Sequence, residues 1–276
     1  MRIPLGASLL VLLVLGPAVP RAGADVTLRQ RITLRFPQDA TETPRRVVFY
    51  AKGDRVRFEG DAWRKKPTIF QFDKGLVLRL DPRKKTYTKV ALKDLENVFK
   101  DTVRIVRGVD EMVGGKRTGG GNSPLRLKPT EIREPVNGFG ARVYLLRGTR
   151  PDKPRVKIWI TRDSDAGREV YPLQRKIANI SANLLLSLDP RLYDELERVG
   201  GTAVRILVLG KVGAFGPIRT DMVVESIDRR PLDDALFEVP PGYRGDAGLK
   251  ERNTHPNGRR PSAMERRLKA LLKLFQ

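Results

Sequence analysis

Between Pro67 and Val90 the chain runs through three short apolar-rich stretches, and the breaks between them are turn residues. Asp73-Lys74-Gly75 separates the first stretch from the second, and Asp81-Pro82 separates the second from the third. Gly takes a positive φ without a Cβ clash, while Pro after Asp starts a turn and ends a strand. In the middle stretch Leu76, Leu78 and Leu80 fall on one face, with Val77 and Arg79 on the other. Alternation with period two between tight turns predicts an antiparallel meander with one dry side and one wet side.

The same pattern extends in both directions. In Val26–Phe36, residues Val26, Leu28, Ile32, Leu34 and Phe36 share a face opposite Arg29, Arg31 and Arg35. Arg45–Ala51 and Asp54–Glu59 read as a hairpin around Lys52-Gly53, with Val56 and Phe58 inward and Arg55 and Arg57 outward. Further strands are expected at Thr130–Pro135, Ala141–Arg147, Arg155–Thr161, Ala203–Gly210 and Ile218–Ile227.

Helical periodicity interrupts the strands twice. Leu92, Leu95, Val98, Phe99, Thr102 and Val106 recur at helical spacing within Ala91–Val106. A second helical region is expected over Arg175–Val199, divided at Pro190 and stopped by Gly200-Gly201. Strands before and after helices, without regular alternation, argue for an antiparallel sheet with helices packed on one face. The Gly-rich segment Gly114–Asn122 fails as a phosphate-binding loop, because Arg117 follows Lys116 where Ser or Thr is needed.

The first 24 residues read as an export signal: Arg2, an apolar run from Leu5 to Val19, and Ala22-Gly23-Ala24 as a cleavage site before Asp25. With no Cys there is no disulfide framework and no lipid-modified Cys, so a periplasmic location, or secretion beyond it, is expected. The 54 Lys and Arg against 32 Asp and Glu give a net charge of +22, and cleavage after Ala24 removes Arg2 and Arg21. Such an excess draws a protein to anionic lipid, acidic glycans or nucleic acid, largely without specificity. Export and the lack of a recognisable motif exclude specific nucleic-acid binding from the reading.

Composition also bears on catalysis. The one His, His255, lies in the Gly-, Asn- and Arg-rich stretch after Tyr243, a stretch expected to be poorly ordered and a poor place to hold a general base. Metal ligation by Cys or His has little to draw on. Asp163 with Asp165, and Asp233 with Asp234, look like turn and cap residues. A non-enzymatic protein without a cofactor is the resulting expectation. At the far end, Ser262–Glu265 forms a capping box, and the final turns carry Leu268, Leu271, Leu272 and Phe275 beside Arg266, Arg267, Lys269 and Lys273. That cationic amphipathic helix suits a membrane surface, a partner, or its own domain.

Two segments carry a family resemblance: Asp73–Thr88, and Leu232-Asp-Asp-Ala-Leu-Phe-Glu-Val-Pro-Pro-Gly-Tyr243. They resemble exported bacterial proteins similar to the outer-membrane lipoprotein carriers, the LolA/LolB-like group, over most of Asp25–Tyr243. The resemblance implies an α+β fold, a curved and unclosed antiparallel sheet (a half-barrel) wrapped around a few helices, with a cavity between them for acyl chains. With the signal (1–24) and the basic, mostly disordered tail (244–276) read from the residues and lying outside the shared pattern, the half-barrel is expected over 25–243. The resemblance implies that Leu28, Ile32, Leu34, Val56, Phe58, Phe70, Phe72, Leu76, Leu78 and Leu80 line the cavity; the same positions serve equally as ordinary core. The expected ligand is a lipid or acylated molecule. The alternative is an interaction or sensor module acting through Arg29, Arg31, Arg35, Arg55, Arg57 and the tail on an envelope protein or an anionic membrane.

Overall fold

The structure, a computed structural model, describes residues 25–35, 43–61, 66–97, 125–147, 155–180, 190–211 and 217–246. The first meander comprises β1 (Val26–Arg35), β2 (Thr43–Lys52), β3 (Arg55–Gly60), β4 (Thr68–Gln71), β5 (Leu76–Asp81) and β6 (Thr86–Ala91). Helical residues 92–97, α1, follow β6 directly. The second meander contains β7 (Arg126–Val136), β8 (Phe139–Arg147) and β9 (Arg155–Thr161), then α2 (Gly167–Ile180) and α3 (Pro190–Val199), then β10 (Thr202–Lys211) and β11 (Pro217–Asp228). A 3-10 turn at Asp234–Phe237 and the two-residue β12 (Arg244–Gly245) complete the described chain.

These twelve strands form one sheet in the order β12-β6-β5-β4-β3-β2-β1-β11-β10-β9-β8-β7. The two meanders join where β1 pairs with β11, from Thr27 opposite Asp228 to Arg35 opposite Arg219. Every pairing is antiparallel except that of β12 with β6. β7 and β12 lie at opposite ends without pairing, so the curved sheet stays open. The α+β, unclosed half-barrel expected from the sequence is the fold observed.

The turns behave as their residues dictate. Gly75 holds φ +62° between β4 and β5, with its N–H 3.3 Å from the Phe72 carbonyl. After β5, an Asp81 carboxylate oxygen accepts the Lys84 backbone N–H at 3.2 Å. β7 runs longer than the expected Thr130–Pro135 and includes Pro129 and Pro135. An edge strand tolerates Pro because its outer N–H groups have no ladder partner to lose.

The second helical region corrects the expectation at its start. α2 starts at Gly167, eight residues before Arg175, and contains Pro172. Burial of Val170, Tyr171 and Leu173 outweighs the single N–H that Pro172 removes. A Cβ on Gly167 would lie 2.3 Å from the Gly201 carbonyl oxygen and 2.6 Å from the Tyr171 ring, so only Gly fits where α2 begins. The Gly167 N–H donates to the Thr202 hydroxyl at 3.0 Å, tying the helix start to β10. Pro190 opens α3 as its first residue, and Gly200 and Gly201 end it at φ +72° and +83°. The expected helical core at 182–188, and the part of 91–106 beyond residue 97, lie outside the described residues.

The helices cover one face of the sheet, and the closing segment covers the other face over the first meander. On one face α2 and α3 pack on Leu127, Tyr144, Ile158 and Ile160, and α2 also packs on Val26, Leu28, Phe49 and Val56. Leu95 of α1 and Ile180 of α2 meet Val77 on that same face. On the other face the closing segment lays Phe237 against Ile69, Leu78 and Leu80. Leu76, Leu78 and Leu80 therefore stand on the side away from the helices, which corrects their assignment to the cavity. Ile69 pairs with Leu78, and Phe70 with Val77, so strand alternation sends Val77 to the helices and the leucines to the closing segment.

The sheet also takes in residues past Tyr243. The Arg244 N–H donates to the Lys85 carbonyl at 3.0 Å and the Asp246 N–H to the Tyr87 carbonyl at 2.7 Å. This short parallel strand covers the start of the β6 edge, at Thr86 and Tyr87, which would otherwise present unpaired backbone groups.

Candidate functional site

Four phenylalanines form a continuous stripe across β2, β3 and β4 and the turn after β4, on the face toward α2. Phe49 meets Phe58 edge-on at 5.0 Å between ring centroids, Phe58 meets Phe70 edge-on at 6.0 Å, and Phe70 stacks on Phe72 at 5.9 Å. Each such pair adds about 0.5–1.5 kcal/mol beyond simple burial. Phe49 is sealed at 1% exposure, whereas Phe58, Phe70 and Phe72 are only half-buried.

The register explains the stripe. Phe49 is paired with Phe58, and Phe70 is paired with Val56 on one side and Val77 on the other. At the far end Lys176 of α2 places its ammonium 5.2 Å from the Phe72 ring centroid and 2.6 Å from an Asp54 carboxylate oxygen. A cation over an aromatic face is attracted by the ring quadrupole, so Lys176 fixes where α2 lies above the stripe.

Of the residues assigned to a cavity from the sequence, the structure gathers Leu28, Val56, Phe58, Phe70 and Phe72 on the helix-facing side. Ile32 and Leu34 continue that face of β1, half-buried, opposite Met222 and Thr220 of β11. Phe49 and Val77 complete the face and were not singled out from the sequence, although their strand parity marks both. The residues assigned to a membrane or partner, Arg266, Arg267, Leu268, Lys269, Leu271, Leu272, Lys273 and Phe275, lie outside the described residues, as do the signal and His255.

The outward arginines divide into two groups. Arg29, Arg31 and Arg35 are exposed. Arg55 and Arg57 are spent on the closing segment instead. Arg55 donates to the Asp234 carboxylate at 2.5 Å, holding that carboxyl below its usual pKa, and stands 5.3 Å from the Phe237 ring centroid. Arg57 donates to the Leu236 carbonyl at 2.7 Å, and Lys52 donates to the Leu232 carbonyl at 2.6 Å.

The candidate carboxylate pairs are structural. Asp163 accepts the Gly140 N–H at 2.9 Å, Asp165 pairs with Arg229, and Asp233 caps the 3-10 turn by accepting the Ala235 N–H at 2.9 Å. Among the described residues no group of three or more His, Cys, Asp and Glu is placed to hold a metal. Two buried phenols lie between sheet and helices. Burial raises the pKa of both Tyr171 and Tyr193, and Tyr171 accepts the Ala203 N–H at 2.6 Å, an anchoring role.

No protein-family model matches the chain, and no curated protein matches it significantly. Among solved structures it is similar to a LolA superfamily protein from Nitrosomonas europaea, at 10% identity and TM-score 0.31, over 78% of this chain and 90% of that one. It is similar to a MucA/MucB complex from Pseudomonas aeruginosa at 10% identity and TM-score 0.39, over 78% of this chain and 56% of that one. It is similar to the lipoprotein LppX from Mycobacterium tuberculosis at 8% identity and TM-score 0.34, over 75% of this chain and 88% of that one. The group named from the sequence motifs is thus among the structures the chain is similar to. Among the described residues no helix is long and apolar enough to cross a membrane.

Proposed function

We propose that this chain shelters a hydrophobic ligand, a lipid or acylated molecule, between its open sheet and its helices, as an exported, non-enzymatic binding or carrier protein of the periplasm. The observation that carries this reading is the half-buried state of Phe58, Phe70 and Phe72 beneath α2. A sheet face serving only as core gains most by sealing its largest rings, as this one does with Phe49. An apolar ligand laid on the stripe completes that burial at about 25 cal/mol per Å². The interaction-module alternative loses support from Arg55 and Arg57, because both hold the closing segment.

The test is native mass spectrometry with organic extraction on the mature protein, purified at high salt from its own compartment. A stoichiometric, salt-resistant lipid or acylated peptide is expected, and a bare protein would overturn the reading. Two variants refine it. Phe70→Gln is expected to lower retained ligand several-fold in a protein that still melts cooperatively. Leu78→Ala, on the opposite face, is expected to cost about 2–5 kcal/mol in urea unfolding with ligand content per folded molecule unchanged. Equal ligand loss in both variants would detach the ligand from the phenylalanine stripe.

A further inference from the structure

A cleft of about 520 Å³ opens where the β7–β8 hairpin meets the end of β9, walled by Tyr144 and Ile160 and rimmed by Arg133, Arg142 and Arg162. Its walls belong to the helix-facing core. Tyr144 and Ile160 pack in the same apolar cluster as Tyr171 of α2 and Leu192 and Leu196 of α3. The basic rim and the apolar layer are therefore continuous.

The register makes the arginines more than a surface coincidence. Arg142 on β8 is paired with Arg133 on β7 and with Ile160 on β9, so both guanidinium-bearing chains leave the sheet on the face of Ile160. Like charges directly opposite each other on neighbouring strands destabilise the pair unless an anion lies between them. Arg142 donates to the Thr130 carbonyl at 2.8 Å and to Glu131 at 3.1 Å, a carboxylate whose side chain is 99% exposed. Arg162 donates to the Val199 carbonyl at 2.8 Å. The Arg133 side chain makes no hydrogen bond or ion pair with the described residues.

Local carboxylates leave Arg133 and Arg162 without an ion-pair partner among the described residues. Glu134 accepts the Trp159 indole N–H at 2.6 Å and stands 3.9 Å from Lys157. Asp163 is held by the Gly140 N–H. Glu134 and Asp163 both line the cleft, so three guanidiniums face two carboxylates beside an apolar wall. Planar guanidinium forks suit phosphate and carboxylate oxygens, and such charge-assisted bonds are roughly twice as strong as neutral ones.

We propose that this cleft takes the anionic head group, phosphate-like in chemistry, of an amphiphile whose apolar part lies against the helix-facing core. The proposal rests on the ligand-sheltering reading above and adds the class of ligand: an anionic lipid in preference to a zwitterionic or neutral one.

The experiment is calorimetric titration of the full mature chain with lysophosphatidylglycerol and with lysophosphatidylcholine of the same acyl chain, below their micelle concentrations. Ionic strength is held at about 0.15 M, where the screening length of about 8 Å suppresses attraction by remote charge. The wild type is expected to hold the anionic lipid about tenfold more tightly, the order of a charge-assisted hydrogen bond. In the double variant Arg133→Gln/Arg162→Gln that preference is expected to vanish, with affinity for the zwitterionic lipid retained. Lys89→Gln/Lys93→Gln removes the same charge from exposed positions on β6 and α1 and is expected to change nothing.

Equal affinity of the wild type for the two lipids, or an equal loss in the Lys89/Lys93 control, overturns the head-group site and leaves the ligand-sheltering reading standing. Binding of neither lipid overturns both. Glycerol phosphate binding as tightly as the anionic lipid assigns the cleft to a free anion and overturns the lipid assignment.

Discussion

Phe237→Ala is expected to lower the stability of this protein by about 3–5 kcal/mol, the range for truncating a large aromatic in a sealed site. Phe237 is fully buried and fills the space above Ile69, Leu78 and Leu80. Its carbonyl accepts the Gln71 side-chain N–H at 2.8 Å, and Gln71 is itself only 2% exposed. Truncation therefore opens a cavity and loosens the neighbour that satisfies a buried amide, two costs that add when the site cannot collapse. Urea unfolding is the measurement: the midpoint should fall with the slope unchanged. Because the closing segment lies across the sheet from α2, ligand bound per folded molecule should stay the same. A loss below about 1 kcal/mol would mean that the segment is a surface strap and not half of the core.

That segment also explains why the candidate site was only partly legible in the sequence. The alternation of Leu76, Leu78 and Leu80 against Val77 and Arg79 is plain, and it correctly separates two faces. Alternation identifies the buried face only when the other face meets water, and here the closing segment covers the far side. Val77 and Leu78 are both 4% exposed, so hydrophobicity could not tell the helix side from the strap side. The strand order is better specified, because turns such as Asp73-Lys74-Gly75 leave little freedom between neighbours. The start of α2 was hidden for another reason. Gly167 and Pro172 are poor helix residues by local propensity, and contacts with Gly201, Thr202 and β10 override it. The cleft arginines were invisible because Arg133, Arg142 and Arg162 lie on three strands or strand ends, and only the register brings them together.

Glu195→Ala is expected to have the second large effect, and its signature is in the pH dependence. Glu195 sits on α3 at 6% exposure and pins the open edge of the sheet to the helix layer. One carboxylate oxygen accepts the Leu127 backbone N–H at 3.0 Å, and the carboxylate also receives Arg126 at 2.8 Å and Arg198 at 2.8 and 3.0 Å. Hydrogen bonding from Arg198, with help from the Leu127 N–H and Arg126 and against the cost of burial, pushes its pKa down from 4.5 to about 2. A folded-state pKa below the unfolded value makes the ionised form a stabilising one. That contribution is complete above pH 4.5 and is lost progressively as pH falls toward 2. Replacement by Ala leaves the buried Leu127 N–H without an acceptor, so a loss of about 2–3 kcal/mol is expected at neutral pH. Glu195→Gln keeps an acceptor and should cost less at neutral pH. Unfolding midpoints measured from pH 7 to pH 2 check both: the wild type should fall more steeply than Glu195→Gln below pH 4.5, and the two curves should converge at the acid end. Parallel curves would mean that the carboxylate titrates alike in both states and that α3 holds the β7 edge by packing alone.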